Sequence, residues 1–170
     1  MLARSLILLT ALAGTAAAGP KKPSTAEARK TAQAWLEAFS GDEVAALTAT
    51  PFYAGSTEAG GEPACAPTTA ADAAAASAIM DCLREKGASV DGTPALEPFS
   101  RKTWKEWDRW AYSKPYVKAL RALAKTSTLL EHDSQCESGS LTVVAIAVIR
   151  DAAGELVVNG YVHLHDYCGE

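Results

Sequence analysis

The sequence has little with which to do chemistry. Histidine occurs only as His132, His163 and His165. No G-x-S-x-G elbow, G-x-G-x-x-G turn or H-E-x-x-H pair is present. The hydrolase, dinucleotide-binding and zinc-protease signatures are therefore missing. Ser138-Gly139-Ser140 reads as a turn, not a nucleophile. Basic residues do not outnumber acidic ones, and the formal charge is −4. A basic face able to neutralise phosphates is not expected, which argues against nucleic acid as a partner. The cysteines include no C-x-x-C pair, which argues against a zinc site. No apolar run of about 20 residues follows the first few residues, so no membrane span is expected after them.

What is there begins with an address. Arg4 is a short positive region, Leu6 to Leu12 is apolar but too short to span a bilayer, and Ala16-Ala17-Ala18 offers small residues for cleavage. Residues 1–18 read as a secretory signal peptide, 19–24 as a flexible leader and 25–170 as one domain. Arg4 is the only charged residue in that signal, so its loss takes the charge to −5. Secretion or a periplasmic home agrees with four cysteines, which favour an oxidising compartment.

The last third carries the strongest pattern. Leu141 to Ile149 and Leu156 to Leu164 are β-branched runs joined by Asp151-Ala152-Ala153-Gly154. They predict a hairpin, with 126–136 as a third strand. If Arg150 faces Glu155, Leu141 faces Leu164. The first strand is apolar on both faces, which implies cover on both or an apolar cavity on one. That register places Cys136 and Cys168 at one end of the sheet. It pairs them and leaves Cys65 with Cys82, each closed loop contributing about 2–4 kcal/mol.

Upstream, Ser24-Thr25-Ala26-Glu27 is a capping box. It opens a helix to Phe39 with Ala32, Trp35, Leu36 and Phe39 on one stripe, and Gly41 stops it. Asp42 caps a second short helix. Residues 55–69 read as a loop, 70–86 as a helix, and 90–99, with Pro94 and Pro98, as irregular. Thr103 to Glu106 is a second capping box, and Ser113-Lys114-Pro115 restarts a helix. Trp104, Trp107 and Trp110 recur every three residues. They are either core or an aromatic wall for an apolar or sugar-like ligand.

Ala34-Trp35-Leu36-Glu37-Ala38-Phe39-Ser40-Gly41-Asp42-Glu43-Val44-Ala45-Ala46-Leu47 resembles the opening of nuclear-transport-factor-2-like (cystatin-like) domains. These begin with an amphipathic helix, a Gly-Asp turn and a short helix, and end on long antiparallel strands. The resemblance covers about 25–53 and 141–167. It implies an α+β fold in which a strongly curved antiparallel sheet wraps around the N-terminal helices and leaves a pocket. The stretch 55–99 departs from it as an irregular and helical insertion. Members include isomerases, dehydratases and non-catalytic binding modules, so the fold leaves function open.

Tyr161, His163 and His165 are the one cluster with chemical capacity. His163 with Asp166 is the weak acid–base candidate, and Asp108 is another carboxylate. A metal would need a third ligand from Glu131, His132 or Asp133. The expected ligand-pocket residues are Trp35, Trp104, Trp107, Tyr161, His163 and His165. The reading is a secreted or periplasmic domain that binds a small apolar molecule, with no catalytic motif, metal or cofactor expected. A dehydratase or isomerase, and an interaction module that forms homodimers through the outer sheet face, are the rival readings.

Overall fold

The computed structural model describes residues 21–90, 92–134 and 139–168. The expected signal peptide and Cys136 lie outside them. The described residues form four α-helices and a six-stranded mixed sheet that does not close on itself.

Helix α1 (Thr25–Ala38) starts as its capping box requires: Ser24 Oγ accepts from Glu27 N–H, and the Glu27 carboxylate accepts from Ser24 N–H. Its stripe buries Ala28, Ala32 and Trp35. A 3₁₀ turn (Asp42–Leu47) leads into β1 (Thr48–Thr57). The expected loop at 55–69 is instead the end of β1, a turn at Gly60-Gly61 and strand β2 (Pro63–Ala70). Two prolines, Pro63 and Pro67, hid β2 in the sequence. Proline cannot donate to a ladder and is tolerated only at an edge, which is where β2 lies.

Asp72 caps α2 (Ala73–Glu85). The two-residue strand β3 (Glu97–Pro98) pairs with β4 (Thr128–Asp133). Helix α3 (Arg101–Arg109) begins earlier than the Thr103 box implies. Ser100 is the cap, and Thr103 is its reciprocal partner. Helix α4 (Lys114–Leu123) carries Pro115 in its first turn, as expected. Strands β4 (Thr128–Asp133), β5 (Ser140–Arg150) and β6 (Leu156–Tyr167) complete the sheet. The order is β2-β1-β6-β5-β4-β3, parallel only between β1 and β6.

The β5–β6 hairpin exists, but its register is not the expected one. Arg150 pairs with Leu156, and Leu141 with Asp166, not Leu164. Gly154 takes φ +87° in the turn, and this left-handed residue lengthens the loop by one position. A bulge farther along shifts the pairing again.

Alternation on β5 divides the interior in two. Val144, Ile146 and Val148 face α1 and α2, with Trp35, Phe39, Phe52, Leu83 and Tyr161. Val143, Ala145 and Ala147 face α3 and α4, with Trp107, Tyr116, Leu120, Val162 and Leu164. The strand that reads as apolar on both faces is thus covered on both.

Candidate functional site

A cavity of about 460 Å³ opens where α4 crosses the sheet near the β5–β6 turn. Strand β1 contributes Ala49, Thr50, Pro51 and Tyr53, and α4 contributes Ala119, Ala122 and Leu123. Ile149, Asp151, Ala152 and Asn159 close it from the hairpin. This lies on the α3/α4 face, opposite to Trp35 and Tyr161.

Two irregularities set side by side create it. In β1, Thr48 pairs with Val158 and Tyr53 with Gly160. Strand β1 therefore uses five residues where β6 advances two, and the excess, which includes the cis Thr50–Pro51 bond, loops away from the ladder. In β6, Val158 pairs with Val148 and Gly160 with Ala147. Asn159 is the extra residue of a β-bulge, and bulges re-aim side chains. Gly160 lets α4 come close: a Cβ there would stand 2.7 Å from Leu123 Cδ1 and 3.2 Å from the Ala147 Cβ.

The bulge turns Asn159 toward the end of α4, where its Nδ2 donates to Ser127 Oγ at 2.8 Å. Its Oδ1 is buried without a hydrogen-bond partner among the described residues, and so is Tyr53 Oη. Asn159 is 6% exposed and Tyr53 8%. Each orphaned oxygen costs about 1–3 kcal/mol of lost hydration. Burial, reinforced by neighbouring Tyr116, raises the Tyr53 pKa far above its ordinary value, so the phenol stays neutral. Asp151 is the one carboxylate of the lining. Its Oδ1 is committed to the turn, accepting from Ala153 N–H at 2.9 Å and Glu155 N–H at 2.8 Å. Apart from Asp151, the lining is made of apolar and uncharged polar residues.

The residues expected from sequence to share one pocket are divided between the two faces. Trp35 is fully buried, its ring 5.0 Å from Phe39 and 4.9 Å from Tyr161, and its Nε1 donates to Thr48 Oγ1 at 2.8 Å. Tyr161 Oη donates to the Ala88 carbonyl at 2.8 Å. The space between α1 and the sheet is filled by these rings. Trp107 is fully buried on the other face, and Trp104 is half-buried against Phe99 with the Arg121 guanidinium 4.5 Å over its ring.

His163 and Asp166 are likewise separated. His163 lies on the α1/α2 face beside Val144 and Ser56. Asp166, three positions on, faces the α3/α4 side, where burial and then the nearby Asp166 charge raise the Tyr112 pKa. They cannot act on one substrate atom. Burial, then the neighbouring His165, lowers the His163 pKa to about 4, and its Nδ1 is unpartnered among the described residues. His165 is half-buried at the strand end. His132 shares a cross-strand row with His163, but Val144 stands between them. Thr103 Oγ1 donates to Glu131 at 2.5 Å on the opposite face. Among the described residues no three His, Cys, Asp or Glu side chains group as metal ligands.

The Cys65–Cys82 disulfide is present as expected, joining β2 to α2. Cys168 is disulfide-bonded; Cys136, its expected partner, is outside the described residues. No helix of the described residues is long and apolar enough to cross a membrane. Sequence reading missed Tyr53, Leu123 and Asn159. One signal was available: Asn159-Gly160 interrupts an otherwise β-branched run, as a bulge does. Comparison with protein-family models, with curated proteins and with solved structures gives no match to this chain.

Proposed function

We propose that the protein is an exported, non-catalytic binding domain that holds a small apolar molecule in the cavity between α4 and the β1–β6 edge. One observation carries this reading. The cavity's walls are apolar, and two of its buried lining residues, Tyr53 and Asn159, each keep an oxygen without a partner among the described residues. Binding pockets are lined predominantly by such apolar walls. The disulfide and the signal-like start of the sequence support export. The helix, Gly-Asp turn, short helix and long final strands keep the nuclear-transport-factor-2-like reading as a proposal of ancestry. In it the ligand site has moved to the sheet face opposite α1.

The test is a titration of the isotope-labelled mature chain with neutral apolar fragments, read by amide shifts. Shifts confined to Thr50, Tyr53, Leu123 and Asn159 are expected. The Ala122→Trp variant, which places a large ring at an exposed lining position of the α4 wall, should abolish them without lowering the Tm. Shifts elsewhere only, or shifts that persist in Ala122→Trp, would remove the reading.

A further inference from the structure

The geometry points to the charge class of the molecule held: an organic cation, a small ammonium compound whose hydrocarbon body occupies the cavity. The inference rests on the binding reading above and adds the sign of charge that the site selects.

The lining has one charged side chain. That residue is Asp151, and no lysine, arginine or histidine joins it. Its carboxylate is held in place through Oδ1, which accepts from Ala153 N–H at 2.9 Å and Glu155 N–H at 2.8 Å. The other oxygen, Oδ2, has no hydrogen-bond partner among the described residues, yet it is not one of the unpartnered side-chain atoms closed to solvent. The negative charge is therefore fixed in position and open to water.

The cations nearest in the chain do not cancel it. Arg150, the preceding residue, points to the other side of the sheet, where it donates to the Gly154 carbonyl and pairs with Glu27 of α1 at 2.9 Å. Arg121, in the last turn of α4, pairs with Asp108 of α3 at 2.7 Å. Lys118 and Lys125 are exposed and outside the lining.

Helix α4 adds to the same sign. Leu123, its last residue, stands in the wall, and the C-terminal end of a helix carries a partial negative charge that favours a cation beside it. A cleft with charge of one sign and apolar walls concentrates that field.

A carboxylate or phosphate guest would meet a like charge and no cation. An ammonium group meets the opposite charge and need not leave water to do so, because Thr50, Pro51, Ala122 and Ala152 are exposed and keep the mouth wet. The hydrocarbon body is matched by Ala119, Leu123 and Ile149.

Three probes of similar shape separate the charges: cyclohexylammonium, cyclohexanol and cyclohexanecarboxylate. Each is titrated at neutral pH into the mature chain, with amide shifts at Tyr53 and Leu123 as the readout. The ammonium is expected to bind about fivefold more tightly than the alcohol and the carboxylate about fivefold less tightly, the size of a charge interaction at a part-exposed site. Raising the salt from about 0.01 M to about 1 M, which shortens the screening length from about 30 Å to about 3 Å, should bring the three together. Asp151→Asn keeps the Oδ1 acceptor that the turn uses and removes the charge. In it the ammonium should lose most of its advantage while the alcohol binds as before. Equal binding of ammonium and alcohol to the unmodified chain at low salt would overturn the charge selection and leave the binding function in place. A preference for the carboxylate would overturn its sign, and an advantage that survives in Asp151→Asn would overturn Asp151 as its source. No shift with any of the three would overturn both this inference and the function beneath it. If Asp151→Asn does not fold, the order of the probes and its salt dependence on the unmodified chain decide the matter.

Discussion

His163 is a buried histidine in the middle of β6. On the sequence it is half of a histidine pair in an otherwise apolar strand. In the fold it is 5% exposed, with burial and His165 holding it neutral down to about pH 4. Its Ser89 backbone neighbour pulls weakly the other way. An unfolded imidazole titrates near 6.5. Between those values the unfolded chain carries a proton that the folded chain refuses. The stability tied to this residue is therefore complete above about pH 6.5 and declines as the pH falls toward 4, by at most about 1.4 kcal/mol per pH unit. Urea melts at pH 7.0 and 4.5 should show the loss. His163→Gln should reduce the difference between the two pH values, and an unchanged pH dependence in that variant would show that His163 is not its source.

Among the elements, α2 is held to the rest of the molecule by two ties that do different work. The Cys65–Cys82 bond closes a loop of sequence separation 17 between β2 and α2. Replacing both cysteines by alanine should cost about 3 kcal/mol by freeing the unfolded chain, seen as a lower urea midpoint. Arg84 on α2 reaches the end of α1, donating to the Phe39 carbonyl at 2.7 Å and the Gly41 carbonyl at 3.0 Å, with its guanidinium 5.5 Å from the centre of the Phe39 ring. Those carbonyls lie at the end of α1, where a helix leaves acceptors without intrahelical donors. Arg84→Ala should cost about 1–3 kcal/mol, and Arg84→Lys should recover only part of it, because an ammonium lacks the planar fork. Recovery of the full midpoint by lysine would show that charge alone is at work.

Much of this layer was legible in the sequence. Ser24 with Glu27 marks the α1 start, and the four-residue turn at Asp151 marks the hairpin. The failures have local causes. Thr103 has the chemistry of a cap but serves as the third residue after one, since Ser100 offers the same oxygen earlier. Register could not be read because each bulge residue, Asn159 among them, shifts every later pair, and composition does not fix where a bulge sits. The cavity depends on that bulge, and the Asn159-Gly160 interruption of the β-branched run is the one sequence signal that points to it.

At the scale of the whole molecule, the two interiors share one sheet. Val144, Ile146 and Val148 pack with Trp35, while Val143, Ala145 and Ala147 pack with Trp107, and all six lie on β5. Neither interior can loosen without pulling its own residues out of the strand that supports the other. Unfolding should therefore be a single cooperative step. In a Trp35→Phe variant, the remaining tryptophan emission comes from α3 and the residue that follows it, whereas far-ultraviolet ellipticity reports the whole chain. The two midpoints should coincide, and separate midpoints would mean the layers unfold independently. The covering of both sheet faces has a further effect. The outer sheet face, through which the rival interaction-module reading would form homodimers, carries α3 and α4 among the described residues.

The two rims of the sheet carry Pro63 and Pro67 on one side and Pro98 on the other. Each ring removes one amide hydrogen from its edge strand. Fewer donors along such a border make it a poorer template for another strand.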